Sequence, residues 1–357
     1  MKRSLQAKNS AESRIGDKWI GPRRISMQDV ANAAGVSLIT VSRALRQPDI
    51  VLAETRRRID EAVRETGYVP NLAARSLQLN RTGIVAVLLP SLKNSIFADT
   101  ALGISDVFGA SGYQIMVGNL GDQQYREAEE RLVSAFLGRR PDGFVLMAAD
   151  HSDLTRRLLT MSGIPVVETW STSPDPIDMA VGVSNVEAAR AMVLDLARRG
   201  CREIGIIMGQ YTGNHLSDER LVGYETAMKE LGRSLRPELI VRTPVPTTLD
   251  SGGIGLKQLM LRAPEADAAF CAGDVFAHGV MLTALAEGIA VPGRIAVAGI
   301  GDLELSARLP PGLTTVRING YDIGERAARM ILAKLNGRPP KKRIHDVGFE
   351  IIRRGSA

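Results

Sequence analysis

Residues 25–45, ISMQDVANAAGVSLITVSRAL, decide how the first part of the chain folds. Ser26 can cap a helix, and Asp29 stands three residues later, as in a capping box with the shorter acid. Val30 and the alanines after it are spaced for one buried helix face. Gly35 then permits a tight turn, because glycine adopts backbone conformations that other residues avoid. The stretch therefore predicts a short helix that ends in a tight turn.

A second helix is predicted to begin after Ser37, whose hydroxyl can cap it. Its buried side carries Val41, Ala44 and Leu45. The other residues near its start face outward: Leu38, Ile39, Thr40, Ser42 and Arg43. Two apolar residues facing solvent at a helix start suit a helix that enters a major groove and touches base edges and thymine methyl groups. The alternative is a generic three-helix bundle with a tight turn.

Basic residues are concentrated in the same part of the chain. Residues 1–82 carry 15 Lys and Arg against 8 Asp and Glu, whereas residues 83–357 carry 30 against 31. Binding to a phosphate backbone would produce this asymmetry, because Lys and Arg release counterions from DNA. A solvated basic tail is the alternative reading of the charge. Residues 1–24 are polar, without apolar periodicity, and are predicted to form a flexible basic arm.

From Gly83 onward, short apolar runs alternate with helical patterns. The apolar runs lie at 84–89, 114–120, 143–149, 164–169, 203–208, 268–272 and 295–300. The helical patterns lie at 98–112, 124–138, 185–199, 218–231, 254–262 and 275–288. This alternation is typical of parallel sheets with helices on both faces, and there are enough units for two sheets. The sequence therefore predicts an all-α headpiece followed by an α/β core of two doubly wound subdomains.

The stretch MQDVANAAGVSLITVSRAL, followed by TRRRIDEAVRETGYVPNLAARSL, resembles the headpiece of the lac-repressor (LacI/GalR) family. The family pattern D-V-A-x-x-A-G-V-S-x-x-T-V-S-R, then Y-x-P-N-x-x-A-R-x-L, is matched almost position for position. The resemblance implies a helix-turn-helix domain at 25–70 and a hinge helix with linker at 71–82. It also implies a ligand-sensing and dimerising core at 83–357 with the periplasmic-binding-protein fold.

The resemblance further implies which residues contact DNA. Leu38 and Ile39 take the two specificity positions of the recognition helix, and Arg43 matches the arginine that reads a guanine edge. Arg46 departs from the pattern, since Asn is common there. The implied DNA-contacting residues are Ser37, Leu38, Ile39, Thr40, Ser42, Arg43, Arg46, Tyr68, Asn71, Ala74 and Leu77.

The predicted hinge helix, residues 72–79, has only about two turns, a length that is marginal in water. Pro70 forces the preceding residue out of the helical region, and Asn71 can cap the new helix. In the family such a segment pairs with its dimer mate in the minor groove, and Leu77 matches the leucine that wedges between base steps. An ordinary linker helix with Leu77 in a local core is the alternative.

Polar residues just after the predicted strands are candidates for an effector site, because the two subdomains of this fold close on a ligand at the carboxyl ends of their strands. We assign 83–182 mainly to the first subdomain and most of 183–311 to the second. The chain is expected to cross back for 312–336, and once more near its end. Arg220 in RLVGY matches the family's effector-binding arginine. The candidate residues are Ser91, Asn94, Phe97, Glu168, Arg220, Asp274 and Asp302.

The segments VLLPSLKNSIFAD, GIPVVETW and DPIDMAVGVSNVEAARAM resemble the branch of the family that contains gluconate-operon repressors. The resemblance makes a sugar acid, gluconate or a close relative, the expected effector, and Arg220 could serve its carboxylate. Gly273 stands where Asn is frequent and Gly301 where Asp is frequent, so the pocket offers fewer hydroxyl-binding groups. Glu168 would repel an anion unless it accepts hydroxyl hydrogen bonds. A neutral sugar, a ketogluconate, a nucleoside-like effector and ligand-enhanced repression stay open.

Other classes of protein lack their motifs here. The four histidines have no metal-ligand spacing, and neither a P-loop nor a nucleophile elbow occurs, so we expect no enzyme, no cofactor and no metal. A sugar-binding protein of transport would need a signal peptide and has no use for a helix-turn-helix. No window approaches a membrane span, and two distant cysteines fit a reducing cytoplasm. The expected form is a cytoplasmic, nucleoid-associated homodimer on double-stranded operator DNA, since palindromic half-sites mirror a two-fold axis.

Overall fold

The computed structural model describes residues 25–69, 81–93, 95–121, 125–147, 151–210, 215–244 and 246–357. The chain divides into two compact units, Met1–Gln78 and Leu79–Ala357. Among the predicted site residues, four lie outside the described residues: Asn71, Ala74, Leu77 and Asn94.

Within residues 25–69, the described part of the first unit, three helices pack around a small apolar core. They are α1 (Met27–Ala34), α2 (Leu38–Arg46) and α3 (Ala53–Thr66), with a 3-10 turn at Pro48–Ile50. The capping box predicted for α1 is present: the Ser26 hydroxyl accepts from the Asp29 amide, and the Asp29 carboxylate accepts from the Ser26 amide at 2.8 Å. Gly35 ends α1 in the left-handed region, at a φ of 63°. The turn chemistry read from the sequence therefore gives the predicted helix-turn-helix.

The second unit alternates strands with helices, as predicted. Its strands are β1 (Ile84–Leu89), β2 (Gln114–Asn119), β3 (Gly143–Leu146), β4 (Val166–Thr169), β5 (Met179–Gly182), β6 (Ile204–Gly209), β7 (Ile240–Thr243), β8 (Ala268–Cys271), β9 (Ala296–Gly301), β10 (Thr314–Arg317), β11 (Ile344–Asp346) and β12 (Glu350–Ile352). Its helices are α4 (Ala98–Ala110), α5 (Tyr125–Leu137), α6 (Asp153–Ser162), α7 (Asn185–Arg198), α8 (His215–Glu230), α9 (Leu249–Arg262), α10 (Asp274–Ala286), α11 (Glu304–Arg308) and α12 (Gly320–Leu335), with 3-10 turns at Ser95–Phe97 and Pro237–Leu239. The helix predicted at 254–262 begins earlier, because Thr248 and Ser251 form a capping box.

The strands form two six-stranded sheets, in the orders β11-β5-β4-β3-β1-β2 and β12-β10-β9-β8-β6-β7. Each sheet is parallel apart from β12, which runs antiparallel to β10. Strands buried on both faces read as continuous apolar runs, which is why the sequence reveals them. In both sheets the parallel strands point their carboxyl ends the same way, the usual place for a ligand site.

The point at which the chain returns to the first subdomain differs from the prediction. Residues 314–317 pair in parallel with Ala298–Gly301 and so belong to the second sheet. The predicted return at residue 312 is therefore wrong. The return follows Arg317, because Thr314, Thr315 and Val316 are buried as β10, and α12 then packs on α4.

Two glycines fix the close packing of α4 on α12 in the first subdomain. A Cβ atom on Gly103 would lie 2.5 Å from the carbonyl oxygen of Tyr321, and one on Gly324 would lie 2.1 Å from that of Thr100. These positions hold the start of α4 beside the start of α12, at the cleft described below. In the described part of the chain, no helix combines the length and apolar character that crossing a bilayer requires.

Candidate functional site

The exposed side of α2 is a small surface with apolar, hydroxyl and basic groups. Leu38 is 43% exposed and Ile39 64% exposed, whereas Val41 on the opposite side is fully buried. Arg43 and Arg46 are exposed in the last turn, and Ser42 is half-buried. The predicted division of α2 into a buried and an outward side is thus present in the structure.

Hydroxyl groups at the start of α2 bond to each other as well as to the backbone. The Ser37 hydroxyl accepts from the Thr40 amide at 3.2 Å and lies 2.8 Å from the Thr40 hydroxyl. Both residues therefore stabilise the helix start, and both keep further hydroxyl valences for a phosphate oxygen. Tyr68, by contrast, is buried in the core of the first unit beside Val30 and Ile59.

A cleft of about 590 Å³ opens between the two subdomains of the second unit. The first subdomain contributes Ser95, Asp99, Trp170 and Gly320, and the second contributes His278, Gly301, Asp302 and Arg308 among others. Its volume lies within the range of small-molecule sites, which is about 300–1,000 Å³.

Trp170 forms a fixed wall of this cleft. Its side chain is 1% exposed, its backbone has a φ of 71°, and its indole Nε1 donates to the Thr100 hydroxyl at 3.1 Å. Phe97, a predicted effector residue, packs edge-to-face against the indole at a centroid distance of 5.6 Å. The left-handed backbone is strained for a side chain of this size, so several contacts must hold Trp170 in place. Trp170 was not among the predicted site residues, although it directly follows the buried strand β4.

Arg220 is buried on α8 and joins this wall through Asn185. Its Nε donates to the Asn185 side-chain oxygen at 3.0 Å, and its Nη1 donates to the carbonyl oxygen of Ala272 at 2.6 Å. Its Nη2 is buried and has no hydrogen-bond partner within the described residues. Burial lowers the pKa of Arg220 to about 10, against the charges of Glu219 and Asp274, so the group stays cationic. A buried cation with an unused N–H edge is a site for an anion or a hydroxyl group.

Asp274 is fully engaged inside the second subdomain. Its carboxylate accepts from the hydroxyls of Ser306 and Thr315, each at 2.6 Å, and from the Leu303 amide at 3.1 Å. Burial raises the pKa of this carboxyl, and the three hydrogen bonds act to lower it. Asp274 therefore ties α10, α11 and β10 together rather than offering free oxygen atoms to a ligand.

Asp302 lines the cleft, but both of its oxygen atoms are paired. One accepts from Arg317 at 2.7 Å and the other from Arg354 at 2.7 Å. Its backbone lies in the left-handed region, with a φ of 51°. Ser91 is also buried, and its hydroxyl accepts from the Lys93 amide at 3.3 Å.

Glu168 lies in a closed acidic cluster with Glu129 and His151. His151 Nδ1 is 2.7 Å from one Glu129 oxygen, His151 Nε2 is 3.8 Å from one Glu168 oxygen, and the Ile177 amide donates to that Glu168 oxygen at 2.8 Å. All three side chains are at most 1% exposed. Burial raises the pKa of Glu168, while the charge of His151 acts to lower it. The imidazole and a backbone amide lie at one Glu168 oxygen, whereas the other oxygen is buried and has no hydrogen-bond partner within the described residues.

Comparisons with known proteins agree with both units. The family described as "Bacterial regulatory proteins, lacI family" matches residues 26–71, and a "Periplasmic binding protein-like domain" matches residues 193–357. The chain is 35% identical over 336 residues to the HTH-type transcriptional regulator GntR of Pseudomonas aeruginosa, an alignment that covers 93% of this chain and 96% of the relative.

Two solved structures show the same architecture over nearly the whole chain. A LacI-family transcriptional regulator from Silicibacter pomeroyi superposes with a TM-score of 0.85 at 31% identity, covering 93% of this chain and 99% of that one. A lac repressor dimer bound to operator and the anti-inducer ONPF superposes with a TM-score of 0.80 at 22% identity, covering 94% and 99%, and shows the fold alone. The chain thus belongs to the lacI family of bacterial regulatory proteins and is a DNA-binding transcriptional repressor with a sugar-type effector domain, not an enzyme.

Proposed function

We propose that this chain is a homodimeric, cytoplasmic repressor that leaves its operator when the core binds a sugar acid, gluconate or a close relative. Residues on the exposed side of α2 read the major groove, with Leu38 and Ile39 against base edges and Arg43 on a guanine. Arg46 neutralises a backbone phosphate. The two headpieces of a dimer reach half-sites about one helical turn apart, as in other helix-turn-helix dimers.

The choice of an anionic effector rests on one observation: Nη2 of the buried Arg220 guanidinium has no hydrogen-bond partner among the described residues. Leaving a buried charged donor without a partner costs free energy, and a carboxylate would supply Nη2 with a charged acceptor. Relatives named GntR support the same class of ligand.

The acids around the site favour an anion over a neutral sugar for a second reason. Oxygen atoms of Asp274 and Asp302 already accept hydrogen bonds from the protein, so these two acids offer few free acceptors to sugar hydroxyls. A neutral sugar is usually held by paired donors and acceptors, whereas a carboxylate needs donors. Arg220 supplies those donors.

Fluorescence anisotropy of the full chain on labelled promoter DNA tests this function. We expect gluconate to release the DNA, whereas sorbitol, a neutral polyol of similar size, and sodium chloride at matched ionic strength leave it bound. An operator complex that ignores gluconate and related acids would contradict the effector assignment, and failure to bind at low salt would contradict operator binding.

Arg220→Gln separates ligand recognition from DNA recognition. This variant is expected to lose the gluconate response, because it lacks the cationic edge, while it still binds the operator without ligand. Arg198→Gln, at an exposed position at the end of α7, is the matched control and should respond as the natural chain does. A normal gluconate response in Arg220→Gln would remove Arg220 from the site.

A further inference from the structure

A continuous set of hydrogen bonds joins the two subdomains beside Arg220. We call it the junction cluster: Trp170 and Ser171 of the first subdomain, and Asn185, Glu219 and Arg220 of the second. Trp170 is the cleft wall, and Arg220 carries the unused cationic edge. Asn185 and Glu219 lie between Trp170 and Arg220, and neither was among the predicted site residues.

Asn185 uses its side-chain amide fully. Its Nδ2 donates to the Trp170 carbonyl oxygen at 2.8 Å and to one Glu219 oxygen at 3.0 Å, and its Oδ1 accepts from Arg220 Nε at 3.0 Å. The side chain is completely buried. The amide orientation follows from this network, because the flipped amide would place two donors face to face at Arg220. Asn185 therefore fixes the guanidinium plane relative to the backbone of the cleft wall.

Glu219 spans the boundary between the subdomains. One of its oxygen atoms accepts from Asn185 Nδ2, and the other accepts from the Ser171 hydroxyl at 2.9 Å. The loop that carries Ser171 packs tightly on the end of β5, since a Cβ atom on Gly182 would lie 2.4 Å from the Ser171 amide nitrogen. One carboxylate on α8 thus holds both the loop of the first subdomain and the amide that orients Arg220.

The charge of Glu219 also favours a protonated guanidinium at a buried position. Among the charged groups near Arg220, Glu219 acts most strongly to raise its pKa against the effect of burial. Its carboxylate accepts hydrogen bonds from Ser171 and Asn185, while Arg220 Nη2 has no hydrogen-bond partner in the described part of the chain and is left for another anion. Glu219 therefore stabilises the buried positive charge of Arg220 without taking up the Nη2 group.

We propose that Glu219 is a positioning residue that, through Asn185 and Ser171, fixes the Arg220 guanidinium and the Trp170 wall together, so that anion binding at Arg220 is coupled to the relative position of the two subdomains. The proposal rests on the function above in one respect, namely that the ligand presents an anion to Arg220. Glu219 itself does not touch the ligand. Its effect on ligand binding is therefore indirect. Replacing Glu219 should change both the solvent access of Trp170 and the affinity for the ligand.

Trp170 provides the readout, because the chain has only one other tryptophan, Trp19. In full-length protein carrying Trp19→Phe, acrylamide quenching of tryptophan fluorescence reports access to the cleft wall alone. We expect weak quenching without ligand. Glu219→Ala should quench several-fold more strongly, and Ser171→Ala, which removes the Ser171–Glu219 hydrogen bond alone, should be intermediate. Asp218→Ala, its exposed neighbour on α8, is the matched control and should quench weakly.

The second measurement is the affinity for gluconate by calorimetry. Glu219→Ala should weaken gluconate binding by about tenfold or more, the usual scale for lost hydrogen bonds to a charged group. Glu219→Gln keeps the size and one acceptor oxygen, so it should lose less, and circular dichroism melting confirms that each variant is folded. Asp218→Ala, the exposed control, should bind gluconate as tightly as the natural chain does.

The two assays separate the two proposals. If Glu219→Ala and Glu219→Gln are folded and quench like the natural chain, the junction cluster does not fix the wall and the inference is overturned. If the variants quench more strongly but the natural chain does not bind gluconate, the positioning role stands and the effector assignment fails.

Discussion

Arg58 on α3 donates a hydrogen bond from Nη2 to the carbonyl oxygen of Ala34, at 2.5 Å, where α1 ends. The same nitrogen lies 3.3 Å from the carbonyl oxygen of Gly35. The third helix thus holds the turn that sets the angle of α2. A Cβ atom on Gly35 would lie 2.9 Å from this nitrogen, so the turn and the arginine leave no room for a side chain between them.

Gly35→Ala is expected to destabilise the headpiece for two reasons. The left-handed backbone costs an L-residue about 1–2 kcal/mol, and the new methyl group displaces Arg58 from Ala34. Gly67→Ala is the matched control, since Gly67 has a φ of 66° but nothing within 4 Å of its Cβ position. Thermal unfolding by circular dichroism and operator affinity should show the larger loss for Gly35→Ala. Equal losses would mean that the Arg58 contact contributes nothing.

Ile39 offers a test of base recognition with a control of equal exposure. Ile39 and Ile50 are each 64% exposed, but only Ile39 lies on the outward side of α2. Ile39→Ala should cost about 1–2 kcal/mol of operator affinity through lost apolar contact with bases, and should reduce discrimination against altered operators. Ile50→Ala should change neither quantity in the same anisotropy titrations. Similar effects of both substitutions would contradict the groove assignment of α2.

Gly320 keeps part of the cleft open at the start of α12. A Cβ atom there would meet the Thr100 hydroxyl at 3.1 Å and the Trp170 ring at 3.4 Å. Gly320→Ala should therefore press on the wall and weaken effector binding by about 1 kcal/mol or more, as overpacked sites do. Gly293→Ala, whose Cβ meets only the Ala290 methyl group at 3.4 Å, should bind gluconate normally by calorimetry. Unchanged affinity in Gly320→Ala would place the ligand elsewhere in the cleft.

His151 should make the core more stable in mildly acidic solution. Burial alone lowers the pKa of His151, but the hydrogen bond and charge of Glu129, with the charge of Glu168, raise it above its ordinary value. The native state then holds a proton that the unfolded chain releases. The added stability is present below the ordinary histidine pKa and is lost as pH rises through the raised value. His151→Gln should therefore lose more unfolding free energy at about pH 6 than at about pH 8.

His278 should show the opposite dependence in the same experiment. Burial lowers the pKa of His278 to about 4, and its Nε2 lies 2.9 Å from the Ser306 hydroxyl. The unfolded chain then binds a proton that the native state does not bind. The free energy of unfolding therefore falls as pH drops below the ordinary histidine pKa. In denaturant unfolding, His278→Gln should lose less free energy of unfolding on acidification than the natural chain does. Parallel pH profiles for the two histidine variants would contradict both assignments.

Local chemistry explains why the headpiece was predictable. The Ser26 cap, the Gly35 turn and the Ser37 cap involve residues at most four apart, so their geometry can be read from the sequence. Seven of the twelve strands in the described residues were predicted, because parallel strands covered on both faces read as apolar runs. The other five, β5, β7, β10, β11 and β12, have only three or four residues each and were not predicted. The start of α9 was misjudged, since the Thr248 cap stands before a glycine-containing turn with no clear apolar period.

The hydrogen-bond partners of the site residues could not be predicted from the sequence, because they come from distant parts of the chain. Asp274 and Asp302 follow strands, as candidate ligand residues should, but their partners Ser306, Thr315, Arg317 and Arg354 come from other elements. No spacing rule relates these positions. Trp170 and Glu219 were missed for the same reason, because their roles depend on contacts between the two subdomains. Arg220 was found through its family motif, and its unused N–H edge became visible only with the burial and partners in hand.

The two sheets exchange chain three times, after β5, after β10 and between β11 and β12. Neither subdomain is therefore a continuous stretch of polypeptide, and no single gene fragment can encode one of them. β11, which pairs with β5, comes more than 150 residues later in the sequence, so the first sheet stays incomplete on the ribosome until nearly all of the chain has been synthesised. A nascent core in which both sheets lack their last strands should therefore fold as one cooperative unit after release.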